Sequence, residues 1–104
     1  MIRSLGVSFS PEAERDLLDL YTFIADRSGE DRALAYVERI EAYCRGFETA
    51  PTRGQCRDDL RPGLRVTGFE RRVTIAFHLS ANSVVIDRVL YGGRSLDVAY
   101  DPEN

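Results

Sequence analysis

The 104-residue chain contains no lysine, so all fourteen of its basic residues are arginine. An ε-amino group is therefore unavailable as a Schiff-base former, an amine base or a phosphate ligand. The guanidinium that stands in its place is never a neutral base, but its planar donor fork suits bidentate contacts. Cysteine is scarce: Cys44 and Cys56 are too few for a disulfide scaffold, and neither has a histidine or cysteine at metal-ligand spacing. His78 is the sole histidine. No apolar run approaches the ~20 residues needed to cross a bilayer. The opening segment lacks a secretory apolar stretch, because Glu12, Glu14 and Asp16 follow Phe9 at once. Nucleophile elbow, P-loop and dinucleotide fingerprint are all absent. These absences argue against a membrane protein, a secreted mini-protein and a zinc finger. The expectation is one cytoplasmic domain over residues 1–104, with no metal and no cofactor.

What is present is the mix of a globular protein, 43% hydrophobic and 30% charged. A chain of this size buries roughly two-thirds of its unfolded surface, enough for one core. The net charge of -3 hides a division. Residues 1–50 carry ten acids against six arginines, whereas residues 51–94 carry eight arginines against four acids. The last ten residues add Asp97, Asp101 and Glu103. An acidic half joined to a basic half suggests a surface with two faces for two partners. The overall acidity argues against nonspecific nucleic-acid binding, which needs many cations on phosphates.

Along the chain, Leu5 to Phe9 alternates like a short strand. Ser10-Pro11-Glu12 then supplies an N-cap, a proline at the first helical position and an acid at the positive end of the dipole. Ala13, Leu17, Leu20, Tyr21 and Ile24 form one stripe of a helix ending near Ser28-Gly29, with Leu18 and Ala25 on its flank and Phe23 on the opposite side. A second helix opens on Glu30 and Asp31, buries Ala33, Tyr36, Val37, Ile40, Tyr43, Cys44 and Phe47, and stops at Ala50-Pro51. Cys44 lies within that stripe and reads as a buried small hydrophobe. Residues 52–63 carry no periodicity, and Pro62-Gly63 marks a type II turn. Three strands follow: Leu64 to Phe69, Arg72 to Leu79 and Val84 to Tyr91. In the last, Val84, Ile86 and Leu90 share a face with Arg88, while Val85, Val89 and Tyr91 share the other with Asp87. A strand apolar on both faces belongs in the middle of a sheet. The tail from Asp97 reads as frayed. The order β-α-α-β-β-β describes an α+β domain, a helical hairpin packed on a mostly antiparallel sheet. The face away from the helices, or its rim, should carry Arg65, Arg72 and His78, with Arg88 a further candidate.

His78 has the chemistry of a general acid or base near neutral pH, yet a partly exposed strand histidine most often has no task. Asp58 and Asp59 are adjacent on a loop, and adjacent loop residues rarely converge on one substrate. Composition and spacing alone thus end at an α+β domain with an arginine-rich sheet rim.

Several segments carry more. Phe9-Ser10-Pro11-Glu12-Ala13 with Asp16-Leu17, and Ala50-Pro51 followed by Gly54 and Arg57, precede two longer blocks. These are Asp59-Leu60-Arg61-Pro62-Gly63-Leu64-Arg65 and Val84-Val85-Ile86-Asp87-Arg88-Val89-Leu90-Tyr91-Gly92-Gly93-Arg94. Over nearly its whole length the chain resembles the ParE branch of the RelE/ParE toxin superfamily of type II toxin–antitoxin modules. That family usually ends its last strand Arg-Val-Leu-His-Gly-Arg-Arg; here Tyr91 replaces the histidine and Gly93 the first of the final arginines. The resemblance implies plasmid stabilisation as a biological setting and a ParD-like antitoxin draped over the helices and sheet. It also implies DNA gyrase as the target, inhibited by binding and without catalysis. No membrane and no direct specific nucleic-acid binding by the toxin alone are expected. The antitoxin is expected on Leu18, Tyr21, Phe23 and Tyr36, and the target on Arg65, Arg88, Tyr91, Arg94 and Leu96. For Arg88 a structural partner, Glu70 or Asp59, is the alternative. The other branch of the superfamily, RelE-like ribosome-dependent mRNA endonucleases, is the second reading. Its chemistry here would draw on Arg65, Arg94, Tyr91 and His78 as base, acid and phosphate ligands.

Overall fold

The computed structural model describes residues 6–92 and 94–100. Leu5 of the expected first strand, Gly93, and residues 101–104 of the expected frayed tail lie outside them. Strand β1 (Gly6–Phe9) leads into helix α1 (Pro11–Ser28), whose N-cap Ser10 accepts a hydrogen bond from the Ala13 amide at 3.0 Å. Pro11 occupies the first turn, where its missing N–H costs nothing. Gly29 separates α1 from α2 (Glu30–Arg45), and the chain tightens into a 3-10 turn at Gly46–Glu48. Helix α2 is thus shorter than the apolar stripe suggested, although Phe47 is fully buried from the 3-10 turn. Strands β3 (Arg65–Phe69), β4 (Val73–Leu79) and β5 (Ser83–Tyr91) form the expected meander. Gly63 has φ 80, as a type II turn requires of its third residue, and the Leu64 amide donates to the Arg61 carbonyl at 3.0 Å.

With a short strand β2 (Gln55–Cys56), the sheet has five strands in the order β1-β5-β4-β3-β2. Strand β1 pairs parallel to β5, and every other pairing is antiparallel. Leu17, Leu20, Ile40, Cys44 and Phe47 from the helical side pack on Val73, Ile75, Phe77, Val84, Ile86 and Val89. Phe47 stacks on Phe77 with ring centroids 4.4 Å apart, tying the end of α2 to the middle of the sheet.

Four features depart from the sequence reading. Strand β2 (Gln55–Cys56) pairs with β3 inside the segment expected to be a plain loop. Gly54 precedes it at φ 84, and a Cβ there would collide with the Val66 carbonyl oxygen, so only glycine lets the segment approach β3. The residues after Asp97 are not frayed at their start: Leu96–Ala99 forms helix α3, capped by Ser95. Asp87 is the extra residue of a β-bulge, because Ala76 pairs with Arg88 while Phe77 pairs with Ile86. The alternation along β5 therefore changes phase: Val84, Ile86 and Val89 enter the helix-facing core, with Tyr91 packed against it. Finally, Arg65 pairs with Phe77 and so belongs to the helix-bearing side of the sheet, not the opposite one.

Candidate functional site

The geometry begins where β1 ends. Its last ladder pair is Phe9 with Ile86, so β5 continues beyond it with an open edge. Ser10 bridges the gap, donating its amide to the Ile86 carbonyl and its hydroxyl to the Asp87 carbonyl, each at 2.9 Å. Six residues on, within α1, the buried Asp16 carboxylate accepts the Val89 amide at 2.9 Å and a bidentate pair from Arg88 at 2.8 and 3.0 Å. Arg94 approaches the same carboxylate at 3.7 Å. Asp16 thus completes the β5 edge and fixes α1 upon it. The hydrogen bond from Arg88 raises that guanidinium's pKa further. Glu70 and Asp59, expected as partners of Arg88, are held instead by Arg39 and Arg57. Sequence spacing gave no means of joining residues 16 and 88.

Beyond Asp16 the end of β5 carries an aromatic trough. Phe23 and Tyr91 have ring centroids 5.4 Å apart, and Tyr36 meets Tyr91 and Phe69 edge-on at 6.3 and 6.1 Å. Arg27 lies 3.8 Å above the Phe23 ring, a cation–π contact one helical turn along α1. On one side of the Phe23–Tyr91 pair is a hollow of about 370 Å³ reaching Asp16, Asp19 and Arg94. On the other is a cleft of about 590 Å³ lined by Tyr36, Arg27, Arg32, Arg39, Arg72 and Glu70. Two residues expected to meet an antitoxin, Phe23 and Tyr36, therefore adjoin two expected to meet a target, Tyr91 and Arg94. Arg72 lines this cleft on the helical side of the sheet, contrary to its expected place on the opposite face. Leu18 and Tyr21 lie on the other flank of α1, in a groove of about 370 Å³ with Phe9, Val37, Glu14 and Glu41. Leu18 is 64% exposed and Phe23 is 39% exposed, so neither side chain is consumed by the core.

Arg65 stands apart. Its register beside Phe77 is four residues along β4 from the Tyr91–Val73 pair, or about 13 Å, with two strand spacings of about 5 Å between β3 and β5. It donates to the Thr52, Arg53 and Gly54 carbonyls and to the Cys56 Sγ, bracing the loop and β2. Leu96 opens α3 and is partly buried. On the face away from the helices, the bulge turns Asp87 towards His78, whose Nδ1 lies 2.7 Å from the carboxylate, and Arg61 lies 4.0 Å from it. Tyr100 packs nearby with a buried hydroxyl that has no hydrogen-bond partner among the described residues, and burial pushes its pKa up to about 12. His78, Arg65 and the Tyr91–Arg94 pair consequently occupy different places on the sheet. Among the described residues no group of histidine, cysteine and carboxylates is arranged to hold a metal.

The arginines around Tyr36 were missed by reading the sequence for apolar stripes. A signal was present: Phe23–Arg27 and Arg32–Tyr36 are aromatic–arginine pairs four residues apart on adjoining helices.

Residues 7–96 match the family described as the ParE toxin of the type II toxin–antitoxin system parDE. The chain belongs to the ParE toxin family. Toxin ParE3 of Caulobacter vibrioides is 33% identical over 81 residues, covering 78% of this chain and 80% of that protein. The fold is similar to that of a chain in the structure of the chromosomal ParDE toxin–antitoxin system from P. aeruginosa, with TM-score 0.74 at 21% identity over 86% of this chain and 97% of that one. It is also similar to a chain of the RelBE2 toxin–antitoxin complex from Mycobacterium tuberculosis, with TM-score 0.62 at 18% identity over 90% and 98% of the two chains. The ParE family match thus runs from β1 to the first residue of α3. No helix among the described residues is long and apolar enough to cross a membrane.

Proposed function

We propose that this ParE-family toxin inhibits DNA gyrase by binding, without catalysis of its own, and is neutralised by a ParD-like antitoxin. The observation that carries this reading is the dispersal of the groups a ribonuclease would need. Cleaving RNA through its 2′-hydroxyl requires a base, an acid and a phosphate ligand within hydrogen-bond reach of one another. Here Tyr91 and Arg94 line one hollow, but His78 is on the other face with Asp87 and Arg65 is committed to loop carbonyls. What does converge is a docking trough. In this reading Tyr91, Arg94 and Leu96 meet the target, with Arg65 and Arg88 bracing the backbone that presents them. Leu18, Tyr21, Phe23 and Tyr36 receive the antitoxin. Because Phe23 touches Tyr91, an antitoxin seated on the first covers the second, and neutralisation is by occlusion.

The test is expression of the toxin alone. Growth arrest should be relieved by Arg94→Ala and Tyr91→Ala in proteins that still fold by circular dichroism, and Phe23→Asp should abolish co-purification with the ParD-like antitoxin. Full toxicity in both target-side variants would sink the placement of the target surface.

A further inference from the structure

We propose that the arginine-rimmed cleft beside Tyr36 is the docking site for an acidic, apolar-flanked segment of the antitoxin, and so sets which antitoxin the toxin accepts. This inference rests on the antitoxin reading above and adds the chemistry of the contact. Four arginines line the cleft against a single acid, Glu70. Glu70 is already held by Arg39 through two hydrogen bonds of 2.6 and 3.1 Å. Arg27 lies over the Phe23 ring and donates to the Phe23 carbonyl, while Arg32 and Arg72 have no acidic partner among the described residues. This local excess of positive charge stands out in a chain of net charge -3 whose first half is acidic.

The floor explains why the ligand is a peptide and not a simple anion. Phe23, Ile24 and Tyr91 provide an apolar base, and the Tyr36 hydroxyl is buried without a hydrogen-bond partner among the described residues. An entering carboxylate would give that hydroxyl an acceptor and Arg72 a counter-ion, while a neighbouring apolar side chain covers the rings. Asp26, Glu30 and Asp31 are exposed on the adjacent ends of the helices, and Asp16 and Asp19 line the next hollow. These carboxylates repel a continuous phosphate backbone, whereas a peptide can alternate its charges to suit them.

The proposal is tested by calorimetric titration of the purified toxin with a short synthetic peptide alternating glutamate with leucine and phenylalanine, and with its counterpart carrying lysine for glutamate. The acidic peptide should bind at least about tenfold more tightly than the basic one. An Arg32→Ser/Arg72→Ser variant should lose about tenfold in that affinity, while Arg15→Ser/Arg45→Ser, which removes the same charge elsewhere, should not. Equal binding of the two peptides, or equal loss in the two variants, overturns the proposal. So does polyaspartate binding as tightly as the acidic apolar peptide, since the aromatic floor would then contribute nothing. Titration with the ParD-like antitoxin separates the two readings. Equal binding to the wild-type and Arg32→Ser/Arg72→Ser toxins overturns the cleft and leaves the antitoxin reading standing, whereas absence of binding to the wild type overturns both.

Discussion

Asp16 does the work of a missing strand residue. Where β1 stops, its carboxylate takes up the Val89 amide and the Arg88 fork, so truncation would orphan a backbone donor and a partly buried cation together. Asp16→Ala should therefore cost about 3 kcal/mol or more in chemical denaturation, with Asp16→Asn losing less because the amide oxygen still accepts. A loss below about 1 kcal/mol for the alanine variant would show that the edge is closed by something else. The opposite sign is expected at Arg71. Glu70 and Arg71 turn β3 into β4 at φ 49 and 61, without the glycine or asparagine that such a hairpin turn favours. The Arg71 side chain makes no hydrogen bond or ion pair among the described residues, so Arg71→Gly removes left-handed strain at little loss of contact. The expected gain is about 1 kcal/mol, or a rise of roughly 4–8 °C in melting temperature; an unchanged or lower melting temperature would contradict it. Neither feature was legible beforehand. The Asp16–Arg88 contact joins residues 72 apart in sequence, and a Glu-Arg turn carries no turn signature.

At the scale of elements, most of the architecture was legible. The Ser10-Pro11 start of α1, the break at Gly29, the Pro62-Gly63 turn and the two-faced apolar β5 all follow from local chemistry. The bulge did not, because Val-Val-Ile-Asp-Arg-Val-Leu keeps an even alternation in which one extra residue is invisible. Its consequence is large: the phase change lets both Val84–Ile86 and Val89–Tyr91 face the helices. Deleting Asp87 should restore regular pairing with Val84, Ile86, Val89 and Tyr91 still facing the helices, so the shortened chain should fold with native circular dichroism. His78→Ala, which removes only the partner of that aspartate, should leave circular dichroism native. An unfolded deletion variant would mean that the bulge does more than set the phase of the strand.

On the molecular scale, burial separates groups that look alike in sequence. Desolvation in the core pushes the Cys44 thiol from its ordinary 9.0 up to about 12, whereas Cys56 is exposed on β2. In the folded toxin Cys56 alone should react promptly with a disulfide reagent, and Cys44 only after denaturant is added. The linkage has a definite sign. Cys44 and Tyr100 keep their protons in the folded state beyond the pH at which the unfolded chain releases them, so stability is full below about pH 9 and falls as pH rises towards 12. Unfolding curves with a denaturant midpoint unchanged between pH 8 and about pH 11 would refute that coupling. The candidate site was half legible. Phe23 and Tyr91 declared themselves as exposed or unusual aromatics, but only the fold puts them in contact and gathers four arginines around Tyr36.

The central claim concerns what this ParE-family chain does to its target, and purified toxin offers the most direct test. Incubated with DNA gyrase, ATP and closed-circular plasmid, it should leave linear, protein-linked DNA, and ribosomes translating a defined message in the same preparation should yield uncut transcripts. Codon-linked cleavage of the message with supercoiling untouched would contradict inhibition by docking and point instead to the acid–base chemistry of the other branch of the superfamily.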